Sequence, residues 1–166
     1  MEDADDRVGV GRFIVKRFNE RYFDPIVIAP QRHGFALMAV ACLVIETLEC
    51  FYEGRRDSKG DSRKVFSAFF VRRTGLEVFG EGAKDWFYKQ VRCGILHQAE
   101  VLGGWRILRS GPLLDATERT INAKKFVDTL QKAVTEYALK LQDDEDLWRN
   151  LLKKMDAVCE NCLATP

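Results

Sequence analysis

From Gln31 to Tyr52 the chain reads as one helix whose centre, Phe35 to Ile45, is apolar nearly all round. A helix with no polar face cannot lie on a surface, so other helices must wrap it. That requirement predicts an all-α fold, an antiparallel bundle of five to six helices, with this one inside. The uncharged run ends at Glu46 and is too short to span a bilayer, so neither a membrane segment nor a targeting segment is expected. At 166 residues the chain reads as a single domain, 1–166.

The remaining elements follow from spacing and punctuation. Phe13, Ile14, Arg17, Phe18 and Arg21 predict a first helix ending before Asp24-Pro25, followed by an extended connector from Pro25 to Pro30. Asp61 or Ser62 caps a third helix that runs to Arg72 or Arg73 and carries Val65, Phe66, Phe69 and Phe70 on one face. Thr74 to Gly82 is a glycine-punctuated connection. A fourth helix opens near Gly82, carries Trp86, Phe87, Val91 and Ile95, and stops at Gly103-Gly104. Trp105 to Leu108 and Leu113 to Ile121, around Ser110-Gly111-Pro112, read as a small β-hairpin. Asn122 caps a fifth helix to about Gln142, and the acids Asp143 to Asp146 open a last one.

Charge and cysteine usage narrow the setting. Formal net charge is +1, so no global basicity marks a nucleic-acid binder. Basic residues instead gather locally: Arg55, Arg56, Lys59, Arg63, Lys64, Arg72 and Arg73. These either track an RNA backbone or form an ordinary solvated loop and helix face. The five cysteines are an odd number with no secretion signal ahead of them, which predicts a reducing, cytoplasmic location. Cys159-Glu160-Asn161-Cys162 has a zinc-ligand spacing but no second Cys or His pair, so no metal or other cofactor is expected.

Chemistry concentrates in Val91-Arg92-Cys93-Gly94-Ile95-Leu96-His97-Gln98, which holds one of only two histidines. A permanently charged guanidinium near an imidazole can bind a phosphodiester and move a proton beside it. On a continuous α-helix, however, five residues amount to about 140° of rotation, so the two side chains do not share a face. Gly94, or the helix end, would have to bring them together, or two protomers would have to meet. The plainer reading makes His97 a cap on the last carbonyls of its helix. Glu46 either orients Arg92 through a charge-assisted hydrogen bond or marks an edge turned to water. Glu49 has the same two readings, and the water-facing edge is the favoured one, since acids are so rarely buried. Tyr88, one turn before Arg92, stacks on a base, packs on the arginine, or simply fills core. His33, after Pro30 at a helix start, is read as structural.

Arg92-Cys93-Gly94-Ile95-Leu96-His97 resembles the signature of the HEPN superfamily, small helical domains of which many are metal-independent ribonucleases. The apolar helix with an internal acid ahead of the motif, and the hairpin and long helices behind it, are similar to a prokaryotic HEPN subfamily. The resemblance implies RNA cleavage by the RNA's own 2′-hydroxyl. His97 would be the acid or base, Arg92 the phosphate ligand and Glu46 its orienter, with no cofactor. It also implies a composite site between two protomers of a homodimer, a role as toxin or defence effector, and an antitoxin partner. Tyr88, Arg63, Lys64, Arg72 and Arg73 are the candidates for holding RNA. One departure is Cys93, where catalytic members often carry a polar residue; a thiol is a poor hydrogen-bonding substitute. The alternative is therefore an inactive HEPN-like module that binds RNA or protein.

Overall fold

A computed structural model describes residues 6–27, 33–73, 75–82 and 85–163. The chain is mostly helical, with one small three-stranded sheet. α1 (Arg7–Phe18) starts at Asp6, whose carboxylate accepts the Gly9 N–H at 2.7 Å. Its ladder then widens into a π-helical turn, Asn19–Phe23, and narrows again into α2 (Asp24–Val27). The helix thus runs through Asp24-Pro25 rather than stopping before it. Pro25 stands second in the new α segment, directly after the widened π-helical turn. The rest of the expected connector, 28–30, lies outside the described residues.

α3 (Gly34–Glu53) is the buried centre, packed by α4 (Ser62–Arg72), α6 (Ala123–Lys140) and α7 (Glu145–Leu163). Gln31, where it was expected to begin, lies outside the described residues. By length and composition alone α3 would suffice to cross a bilayer, but its apolar side chains from Leu37 to Phe51 are largely buried against the other helices. Gly54 ends it with φ +62°, returning its N–H to the Cys50 carbonyl. A Cβ there would also stand 3.0 Å from the Asn150 Cα of α7, so glycine serves both turn and packing. Phe66 and Phe70 of α4 meet Phe79, Phe87 and Phe126 in one aromatic cluster.

The expected hairpin is a different object. β1 (Arg106–Leu108) and β2 (Leu114–Asp115) do not pair with each other; both flank β3 (Thr120–Asn122), β1 in parallel and β2 antiparallel. β3 takes the middle because its side chains are the buried ones, Ile121 completely so. The Asn122 side chain then accepts the Lys125 N–H at 3.1 Å and caps α6, while its amide donates to the Gly111 carbonyl at 3.1 Å. Asn122→Ala loses both, and thermal denaturation is expected to show a loss of about 1 kcal/mol, up to about 2. α7 starts under Asp144, which accepts the Leu147 N–H at 2.9 Å.

Candidate functional site

The expected fourth helix is built in two gauges. Phe87–Arg92 is π-helical, and α5 (Cys93–Gln98) continues it as α-helix. Across the wider turn Tyr88 and Cys93, five apart, come into register, and the Cys93 N–H donates to the Tyr88 carbonyl. α5 ends at Ala99, φ +55°, well short of Gly103, because the chain folds back and Leu102 donates to the Gln90 carbonyl at 2.8 Å. Gly94 is the seat of that return. A Cβ on it would lie 2.4 Å from the Glu100 carbonyl oxygen and 3.2 Å from the Val101 Cα. Gly94→Ala is therefore expected to lower stability by roughly 1–3 kcal/mol in a denaturant melt, through overpacking rather than through any change in helix preference.

Arg92 is the hub. Its Nη1 lies 3.3 Å from His97 Nε2 within the same chain, so the pair meets without a second protomer. The arginine's reach, rather than a shared helix face, closes the gap. A guanidinium only donates, so in this contact Nε2 can serve only as the acceptor. His97 is exposed, leaving the ring open to water. On its other side the guanidinium lies over the Tyr88 ring, 5.4 Å from the centroid.

Glu46 of α3 holds the hub in place. Its Oε1 accepts Arg92 Nε at 3.0 Å and lies 3.0 Å from Nη2. Its Oε2 accepts the hydroxyls of Ser58 at 2.6 Å and Ser62 at 3.1 Å. Both members of the ion pair are mostly covered, with side chains 16% and 15% exposed. Burial works to lower the Arg92 pKa, but the charge and hydrogen bond of Glu46 more than reverse it, and the guanidinium is held above its ordinary value. The Tyr88 hydroxyl is pushed upward by burial and by Cys93. Ser58 and Ser62 carried no signal in the sequence: one sits in a charged loop, the other reads only as a cap.

Glu49 is the clearest correction. It is fully buried, not an edge turned to water, and it pairs with Arg72 and, at 3.2 Å, with Arg73. Arg73 is only 2% exposed and stands 3.6 Å over the Tyr52 ring, so it is shut away from any phosphate. Arg72 is shared between Glu49 and Glu53. Four of the other five basic residues also have acids beside them: Arg55 with Glu53 and Asp61, Arg56 with Glu160, Lys64 with Asp61, and Arg63 3.6 Å from Asp85. Of the expected RNA-holding set, Tyr88 touches the Arg92 hub, Arg63 and Lys64 lie on the first turn of α4 beside Ser62, and Arg72 and Arg73 belong to a structural ion cluster.

His33 stands just before α3, its carbonyl accepting the Leu37 N–H at 2.8 Å. Cys159 and Cys162 are exposed free thiols. Among the described residues no group of three or more His, Cys, Asp or Glu is placed to hold a metal ion. Compared with known proteins, the chain matches no family model, no curated protein and no solved structure.

Proposed function

We propose that this protein is a HEPN-like, metal-independent endoribonuclease. The observation that carries the reading is the direct contact between the Arg92 guanidinium and an exposed His97 ring, with the arginine clamped from behind by Glu46. In the proposed reaction the substrate phosphate draws the Arg92 Nη1 donor to itself, and His97 Nε2, so released, takes the proton of a ribose 2′-hydroxyl. The freed oxygen attacks the adjacent phosphorus, the bond to the 5′-oxygen breaks, and a protonated imidazole returns a proton to that leaving oxygen. The products are a 2′,3′-cyclic phosphate and a 5′-hydroxyl. Arg92 turns its remaining donors to the nonbridging oxygens as their charge grows.

Base and acid act on opposite sides of the phosphorus, and each chain offers one histidine beside Arg92. A two-fold homodimer, which brings two copies of the same patch together, supplies both. Exposed apolar residues support such a contact: Phe35 and Leu43 on α3, and Leu96 immediately before His97. The proposed setting is the reducing cytoplasm, in keeping with five free thiols, and the proposed role is a prokaryotic toxin or defence effector held in check by an antitoxin.

The ion-paired basic residues and Cys93 favour a second reading, an inactive HEPN-like module that binds RNA or protein. Product analysis separates the two. With mixed RNA in EDTA, the nuclease reading expects fragments ending in a cyclic phosphate. A 2′-deoxy substitution at the cleaved position should abolish the cut there. RNA left intact by a folded dimer supports the module, and fragments ending in a 3′-hydroxyl contradict the proposed chemistry.

A further inference from the structure

A concavity of about 830 Å³ lies apart from Glu46, Arg92 and His97, none of which lines it. That volume is in the range of sites that take small molecules. Its aromatic wall is a column. Trp86 is stacked between Phe79, at 6.2 Å and 25°, and Trp105, at 4.2 Å and 18°. Half-buried Trp105 ends the column; among the described residues no further ring stacks on it. Parallel indoles present a flat platform, which suits another flat ring. They do not make the crossed faces of a cage, which a methylated ammonium requires.

The polar wall narrows the choice of ring. Glu77 accepts the Gly75 N–H with Oε2 at 2.6 Å, which leaves acceptor capacity on its carboxylate, and Glu81 stands exposed on the same rim. Carboxylates only accept. Among the RNA bases, guanine alone offers two adjacent N–H donors, N1 and N2, that a single carboxylate can take together. Adenine and cytosine offer one amino group, and uracil one imide N–H. Arg119 faces this wall. Its Nη1 donates to the Gly103 carbonyl at 2.7 Å, and its backbone sits at φ +50°, a strained conformation for an arginine. The remaining guanidinium donors suit a phosphate.

We infer that this concavity binds a guanine base, stacked on Trp105, with its Watson–Crick edge on Glu77 or Glu81 and its phosphate toward Arg119. The base comes from a free nucleotide or from an RNA chain. The test reads binding and requires no cleavage, so this inference and the nuclease reading fail separately.

The full chain is titrated with the four ribonucleoside monophosphates while tryptophan emission is followed. Saturable quenching by guanosine monophosphate is expected, with the adenosine counterpart weaker by roughly tenfold or more, the worth of a charge-assisted hydrogen bond. Glu77→Gln with Glu81→Gln should erase that preference. Arg119→Gly, which suits the positive φ, should weaken the monophosphate but not guanosine. A five-nucleotide RNA with a single guanine, 2′-O-methylated throughout to block cleavage, distinguishes the sources. Tighter binding than the mononucleotide assigns the site to an RNA chain, and weaker binding assigns it to a free nucleotide. Equal quenching by all four nucleotides, no saturable quenching, or a guanine preference that survives the double glutamine variant overturns the inference.

Discussion

Replacing Glu49 with leucine is expected to destabilise the protein by about 3–5 kcal/mol, the cost of leaving a buried charge without its partner. Glu49 is fully buried and Arg73 nearly so, at 0% and 3% side-chain exposure. Burial raises the Glu49 pKa and lowers that of Arg73, in each case against the pull of the opposite charge. The two groups differ in how they can escape. A guanidinium cannot shed its proton in a protein, whereas a carboxyl can take one up. Removing Arg73 should therefore cost less than removing Glu49, and the cost should depend on pH.

For Arg73→Met the sign follows from the raised carboxyl. A carboxyl whose folded pKa exceeds its ordinary value of 4.5 binds its proton more tightly in the native state. Its contribution is full below that ordinary value and is lost as pH rises toward the folded one. Urea melts of Arg73→Met should accordingly show higher stability at pH 4.5 than at pH 8, relative to the parent at each pH. Arg72, the larger of the two charges acting on Glu49, stays paired with it in this variant, which is a further reason for the loss to fall short of that in Glu49→Leu. If Glu49→Leu melts within about 1 kcal/mol of the parent, this buried cluster is not the anchor it is taken to be.

Under the proposed nuclease reading, Arg92→Ala should reduce RNA cleavage by about 10²–10³-fold, the range found when a donor to developing charge is removed. Arg92→Lys keeps the charge but not the fork, so it should recover only part of the rate. Glu46→Gln separates positioning from chemistry. Its amide still accepts one N–H from Arg92, but the ion pair is gone and the guanidinium is freer to leave His97. The expected signature is a fall in kcat with KM nearly unchanged, smaller than the loss in Arg92→Ala. A Glu46→Gln enzyme with parental kcat would show that the clamp has no part in turnover.

The sequence made the bundle legible where a residue's neighbours decide its fate. α3 had to be central because no polar stripe offers it a surface, and α6 begins at Asn122 because that side chain can cap it. Glu46 stood out as an acid in an apolar run, and its partner is the arginine already singled out. What stayed hidden is set by distant chain. Glu49 reads like Glu46, but its partners Arg72 and Arg73 arrive at the end of α4 and just past it, so it is buried rather than wet. The strand order follows from which strand the core covers, which no local alternation reveals. The π-helical turn at Phe87–Arg92 leaves the spacing of apolar residues almost unaltered while changing which side chains meet.

The most direct test is the rate of RNA cleavage in EDTA by the parent and by His97→Ala. Because the ring is exposed, the variant should melt with the parent; under the proposed reaction, in which the ring carries the proton, cleavage should fall by about 10²–10⁴-fold. An equally stable His97→Ala protein that cuts RNA at the parental rate would contradict the account.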